Sequence, residues 1–155
     1  MPKETDFSNL HETNKGRVLA LGVFDLFHVG HLRYLQYARS VASHLTVAVT
    51  TDEISRAIKG KLPVIPESQR LEIIRGLGWV DDARLQPVST EFTYEATLWV
   101  TAWNINHFVV GGDWEGSPRW DRLKPSLAEH SISVSFVPYT QDISTTKIIN
   151  NINGR

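Results

Sequence analysis

The sequence predicts an α/β protein, a single Rossmann-like, doubly wound domain built on a mostly parallel five-stranded sheet. Three observations predict it. From Arg17 to Asn151, short apolar runs alternate with segments of helical periodicity, the order expected of successive strand–helix–strand crossovers. The strand runs are β-branched and apolar, as strands buried on both faces must be. No repeat, low-complexity segment or linker divides the 155 residues, which suffice for one domain with a sizeable core.

Residues 1–15 mix Pro2, Lys3, Glu4, Asn9, His11 and Lys15 without periodicity and are expected to form a tail ahead of a domain spanning 16–155. Arg17 to Val23 is the first strand. A helix follows from about His31 to Ser43, with Leu32, Leu35, Ala38 and Ala42 along one face. Leu45 to Thr50 is the second strand. Thr51 to Pro66 lacks a clean period and carries Lys59, Gly60, Lys61, Pro63 and Pro66, so a loop with a short helical start is expected, long enough to act as a lid. Pro66 suits the first turn of a helix faced by Leu71, Ile74 and Leu77. Trp79 to Leu85 holds a short third strand, and Ala96, Trp99, Val100 and Trp103 stripe a helix over Thr93 to Asn104. His107 to Val110 is the fourth strand, Leu123 to His130 a helix, Ser133 to Val137 the fifth strand and Ser144 to Asn151 a last short helix.

Composition narrows the function. With 16 basic and 17 acidic residues the net charge is -1, which provides no electrostatic footprint for nucleic acid or an anionic membrane. The absence of cysteine excludes a disulfide framework and a thiolate metal site. The polar N-terminus lacks the apolar core of a signal peptide, and no window approaches the roughly 18 apolar residues of a membrane span. A cytoplasmic protein is expected.

In a doubly wound sheet the loops after several strands converge on one crevice at the carboxyl edge. Gly22-Val23-Phe24-Asp25-Leu26-Phe27-His28-Val29-Gly30-His31 is a strand-to-helix turn there, where the first helical N–H groups and the positive dipole end favour phosphate. Gly30 leaves no side chain between His28 and His31, so a phosphate can approach the backbone. The second strand is followed by Lys59 and Lys61, the fourth by Gly111, Gly112 and Asp113, and the fifth by Ile143-Ser144-Thr145-Thr146-Lys147. Hydroxyls at a helix N-terminus both cap it and bind anions. Plainer roles stand beside these: a histidine pair at i, i+3 can bind metal, lysines can be solvated loop charges, Ser144 and Thr145 can be caps alone, and glycines can merely turn the chain. Trp99 and Trp103 belong to a core stripe, whereas Trp114 and Trp120 fit either a pocket or a subunit interface.

The turn resembles the G-x-F-D-x-x-H-x-G-H signature of the cytidylyltransferase-like nucleotidyltransferases, and Ile143-Ser144-Thr145-Thr146 is similar to that family's I-S-T-T segment. Val110-Gly111-Gly112-Asp113-Trp114-Glu115-Gly116 is similar to the G-D-D-W-x-G stretch of glycerol-3-phosphate cytidylyltransferases. The resemblance covers residues 17–151. It implies transfer of a nucleoside monophosphate from a nucleoside triphosphate to a small phosphorylated acceptor, with release of pyrophosphate, in a homodimer. Mg2+ would accompany the nucleotide, and no carboxylate stands out in the sequence as its ligand. By the same resemblance His28 and His31 contact the triphosphate and stabilise the transition state, while Lys59 and Lys61 fold over the α-phosphate and the acceptor. Arg70 helps hold the triphosphate or acceptor phosphate, Asp113 lies near the nucleoside, and Ser144 and Thr145 bind the β- and γ-phosphates. Gly22, Val23, Phe24, Asp25, Gly30, Gly111 and Ile143 complete the nucleotide site.

Three positions depart from the cytidylyltransferase pattern. Tyr139-Thr140-Gln141-Asp142 lacks the arginine of R-T-x-G-I-S-T-T, Gly112 replaces the first aspartate of G-D-D-W, and Val23 replaces a threonine. These features, with Lys59-Gly60-x-x-Pro63-Val64-x-Pro66-x-x-Gln69-Arg70, resemble the bifunctional heptose-1-phosphate adenylyltransferases instead, whereas Trp114-Glu115-Gly116 points to glycerol phosphate. The expected activity is therefore CMP transfer from CTP to glycerol 3-phosphate or a similar polyol or sugar phosphate. The alternatives are an ATP-dependent enzyme for heptose 1-phosphate or a related metabolite, and a catalytically silent nucleotide-binding module.

Overall fold

The apolar runs of the sequence assemble into one sheet in the computed structural model, which describes residues 16–138 and 143–155. Its strands are β1 (Gly16–Gly22), β2 (Ala42–Val49), β3 (Asp82–Leu85), β4 (His107–Gly111) and β5 (Ser133–Val137), in the order β3-β2-β1-β4-β5. Every neighbouring pair is parallel. The helices are α1 (Val29–Ser40), α2 (Asp52–Lys59), α3 (Glu67–Arg75), α4 (Thr93–Ala102), α5 (Pro118–Ala128) and α6 (Thr145–Asn153). The expected tail, 1–15, and the departure at Tyr139–Asp142 lie outside the described residues.

Alternate residues of the central strands feed two cores, one on each face. Val18, Ala20, Val47, Val49 and Val109 pack with Leu35 and Ala38 of α1 and Leu71 and Ile74 of α3. Leu19, Ala48, Phe108 and Val110 pack with Ala96 and Val100 of α4 and Leu123 and Leu127 of α5. Burial on both sides is why these strands read as continuous apolar runs. Trp120, 3% exposed, belongs to the second core, edge-on to Phe108, so it lines neither a pocket nor an interface.

Strand order reverses between β1 and β4, and here the sheet opens. The β1–β4 ladder runs from Val18↔His107 to Ala20↔Val109. Just beyond it the hydroxyl of Tyr34, on α1, accepts from Leu21 N–H (3.1 Å) and donates to the Val109 carbonyl (2.7 Å). Burial holds this phenol neutral by raising it well above its ordinary range. Tyr34 thus satisfies backbone groups that the diverging strands leave unpaired, and the crevice at the carboxyl edge begins above it.

Three boundaries differ from expectation. α1 ends at Ser40, and Ala42 opens β2 because Gly16 and Arg17 of β1 pair with Ala42 and His44; the sheet ladder overrides the helical spacing. The expected lid is half helix: Thr51 Oγ1 accepts from Ile54 N–H, Asp52 and Glu53 occupy the first turn, and Gly60, at φ +75°, ends α2 in the left-handed region. Only the six residues from Lys61 to Pro66 are irregular, and Pro66 is the residue flanking α3 rather than part of its first turn. α5 starts at Pro118, behind a Ser117 cap.

Candidate functional site

The Gly22–His31 turn is closed by its own side chains. Gly30 N–H donates to His28 Nδ1 (3.1 Å) and His28 N–H donates to His31 Nδ1 (3.2 Å), a reciprocal capping box made of two imidazoles. Their rings stack at 3.7 Å between centroids, 22° apart. A Cβ on Gly30 would stand 2.9 Å from His28 Cε1, so the glycine makes room for this ring. The Gly30 amide is the donor that the ring accepts.

Both Nδ1 atoms accept, so each neutral ring carries its proton on Nε2, which is left as the donor. Burial lowers His28. Burial, then His28, push His31 down to about 4; Asp25 opposes this and Lys59 adds to it. Near neutral pH the pair offers two uncharged N–H donors. Beneath them Phe24, 2% exposed, stacks on Tyr34 and meets His31 edge-on. Phe24 and Leu26 adopt φ of 56° and 49°, the left-handed region, and a Cβ on Gly22 would stand 2.9 Å from the Phe24 ring. Gly22 and Phe24 therefore shape the turn from below.

Asp25, 7% exposed, is the hub. Its carboxylate accepts from Leu26, Val64 and Ile65 N–H at 3.1, 2.8 and 2.9 Å. Its carbonyl accepts from Thr145 Oγ1 at 3.0 Å. One residue thus joins the histidine turn, the segment that follows Lys59 and Lys61, and the start of α6. Ser144 Oγ caps α6 through Lys147 N–H (3.0 Å), and Ile143 lies against Gly30. The first-turn amides of Thr145 and Thr146 have no intrahelical acceptor and remain a donor set for an anion. Lys59 and Lys61 are exposed, and Lys59 is near enough to His31 to depress it.

Arg70 is the clearest departure. Expected against a phosphate, it is fully buried, and its guanidinium makes four hydrogen bonds inside the protein. Nε donates to the Ile65 carbonyl (2.8 Å), Nη1 to the carbonyls of Val23 (2.6 Å) and Thr50 (2.7 Å), and Nη2 to Asp52 Oδ1 (2.7 Å). The ends of β1 and β2 leave carbonyls without ladder partners, and a planar fork of donors satisfies them.

Across the crevice, Gly111 turns the chain into a 3-10 turn over Gly112–Trp114. A Cβ on Gly111 would stand 2.8 Å from Asp113 Oδ1. Gly112, exposed Asp113, Glu115, Phe136, Val137 and Pro138 line a cavity of about 450 Å³. Trp114 is partly buried against the second core under Arg119, whose guanidinium stacks on it (4.6 Å) and pairs with Glu91 (2.8 Å). Sequence reasoning missed Tyr34, Asp52 and Arg119. Tyr34 sits at i+3 from His31 and Asp52 follows a capping threonine, signals that were present; nothing marks Arg119 in one dimension. Among the described residues no group of three or more His, Asp or Glu side chains is placed to hold a metal. Nor is any helix among them long and apolar enough to cross a membrane.

Known proteins resemble this chain. The family model for cytidylyltransferase-like proteins matches residues 19–151. The chain is 38% identical to a FAD synthase of Thermococcus onnurineus, covering 91% of this chain and 93% of that protein. It is 34% identical to a glycerol-3-phosphate cytidylyltransferase of Bacillus subtilis, covering 89% of this chain and 98% of that protein. The crystal structure of a lipopolysaccharide core biosynthesis protein from Thermoplasma volcanium superimposes with a TM-score of 0.64 at 29% identity, over 81% of this chain and 96% of that one. With the histidine turn, the α6 start and the Gly111–Gly116 loop meeting at the point where strand order reverses, the chain belongs to the cytidylyltransferase-like family and is a nucleotidyltransferase.

Proposed function

We propose that the protein transfers CMP from CTP to a small phosphorylated polyol or sugar, glycerol 3-phosphate or a close analogue, and releases pyrophosphate. The observation that carries the chemistry is the pair of neutral imidazoles whose Nδ1 atoms are fixed by backbone amides and whose Nε2–H groups are left to donate. In the reaction an acceptor phosphate oxygen bonds to the α-phosphorus. The bond from that phosphorus to the bridging oxygen breaks, and the electron pair leaves on pyrophosphate. The nucleophile is already ionised, so the protein's task is to gather anions and stabilise charge around phosphorus. Two Nε2–H donors, Lys59, Lys61 and the first amides of α6 supply donors of that kind. Mg2+ would enter with the nucleotide as its counter-ion. Asp113 and Glu115 give the cavity beyond β4 acceptors for an exocyclic amino group, and Trp114-Glu115-Gly116 favours the glycerol phosphate relatives. A homodimer belongs to the same proposal, to be read by light scattering.

ATP as donor has its own support. The FAD synthase of Thermococcus onnurineus is 38% identical, and a groove of about 500 Å³ beside α2, lined by Ile54, Ile58, Val88 and Phe92, has room for a larger acceptor such as a flavin. Incubation of the protein and Mg2+ with CTP or ATP, and with glycerol 3-phosphate, heptose 1-phosphate or flavin mononucleotide, tests both. Pyrophosphate release with CTP and glycerol 3-phosphate is expected; release only with ATP moves the assignment to adenylyl transfer. Nucleotide binding with no release for any pair overturns catalysis.

A further inference from the structure

We infer that Arg70 is a positioning residue for the lysine segment and not a phosphate ligand: with Asp25 it clasps the Val64–Ile65 backbone and so sets where Lys59 and Lys61 stand. The inference rests on the nucleotidyl transfer proposed above. Asp25 takes the N–H groups of Val64 and Ile65, and Arg70 takes the carbonyl of the same Ile65. The short irregular segment is therefore held at its far end from both sides. Its near end is the C-terminus of α2, a helix that Arg70 holds from the opposite end, because Asp52 in its first turn is the carboxylate partner. Asp52 Oδ2 also accepts from Glu67 N–H (3.3 Å), tying α2 to the start of α3. Two further donors reach the carbonyls of Val23 and Thr50, the ends of the two strands from which the histidine turn and α2 depart. One guanidinium thereby references Lys59 and Lys61 to the histidines.

A phosphate ligand needs donors facing the crevice, and this fully buried guanidinium commits four of its five N–H groups to internal acceptors, leaving a single N–H on Nη2 outside the lattice. By contrast the segment between the anchors has little else to hold it: Leu62 and Val64 are 55% and 61% exposed. Substitution at Arg70 or Asp52 should free the segment first.

Two measurements on the full chain test this. In limited trypsin digestion without substrate, Asp52→Asn and Arg70→Lys should raise cleavage after Lys61 by on the order of tenfold, while cleavage after Arg33 in α1 stays unchanged. Unchanged cleavage at Lys61, or an equal rise at both sites, overturns the inference. In steady-state assays of pyrophosphate release, Arg70→Lys should lower kcat far more than it raises the nucleotide KM. Its effect should shrink in a Lys61→Ala background, because both changes remove the same contribution. A raised nucleotide KM at unchanged kcat, or strict additivity, restores the phosphate-ligand role. Asp52→Asn carries both tests if Arg70→Lys does not fold. If wild-type protein releases no pyrophosphate, the digestion still decides the clasp, separately from the activity.

Discussion

Two connections rise from adjacent strands at the carboxyl edge, and they hold their chemistry in opposite ways. The turn after β1 fixes its own donors: each histidine Nδ1 caps an amide of the turn, and Asp25 accepts from Leu26 within it and from Val64 and Ile65 beyond it. The segment after α2 keeps nothing for itself. Lys59 and Lys61 stand in solvent, and the backbone beyond them is fixed by Asp25 and Arg70 from other elements. The first connection therefore determines the protonation state of its donors, whereas the second determines only the location of its charges.

The sharpest way to break that contrast is to separate the two jobs of a histidine. His28→Ala and His31→Ala should each lower turnover by on the order of 10²–10³ and also destabilise α1. His28→Asn keeps an acceptor near the Nδ1 position and loses the Nε2 donor. It should unfold within about 1 kcal/mol of wild type while losing turnover as fully as alanine. Urea unfolding with parallel pyrophosphate assays checks both; an active asparagine variant would show that the transition state uses other donors.

Next in size is the pH dependence that the closed turn imposes. Folded His31 stays neutral down to about 4, whereas an unfolded histidine takes its proton near 6.5. Between those values the unfolded chain binds more protons, so stability falls as pH drops from about 6.5 to about 4, by at most ~3 kcal/mol. Protonation at Nδ1 would also cost His28 N–H its acceptor. Urea midpoints at pH 7 and 4.5 should therefore diverge, and His31→Asn should flatten the difference. An equal slope in that variant would assign the acid sensitivity to another group.

How much of this was legible in one dimension follows from range. The sheet was, because burial on both faces writes itself into Val18–Leu21 and Leu45–Val49 as uninterrupted apolar runs. The histidine turn was legible as a strand-to-helix turn, and its capping box spans only three residues. What could not be read were the contacts that cross the chain. Arg70 reaches Val23 over 47 residues, and Thr145 reaches Asp25 over 120. A motif records which residue types are present. It does not record whether a guanidinium turns toward solvent or toward carbonyls left over at two strand ends. The bonds of Asp25 were hidden for the same reason, since its partners are backbone amides with no identity in the sequence.

Asp25→Asn sharpens the comparison from the side of the hub. The amide keeps one acceptor and presents an N–H₂ where Oδ2 now faces Val64 N–H, so donor meets donor in a buried place. A loss of about 2–3 kcal/mol is expected, measured by urea unfolding. If the carboxylate mattered only through a bound nucleotide, the free protein would unfold as wild type does.

The smallest expected effect lies on the open segment. Lys59→Ala and Lys61→Ala remove exposed side chains for which no internal hydrogen bond is seen among the described residues, so each should leave stability within about 0.5 kcal/mol. Turnover should still fall by roughly tenfold, because a charge at the reacting phosphates acts in a site partly withdrawn from water. Lys59→Ala carries a second signature. Lys59 helps hold His31 down, so its removal should bring folded His31 closer to its unfolded value and reduce the loss of stability in acid, whereas Lys61→Ala should leave that loss unchanged. A reduction of equal size in both variants would mean that the lysines act on the histidine through general charge alone, and the placement of Lys59 beside the turn would lose its support.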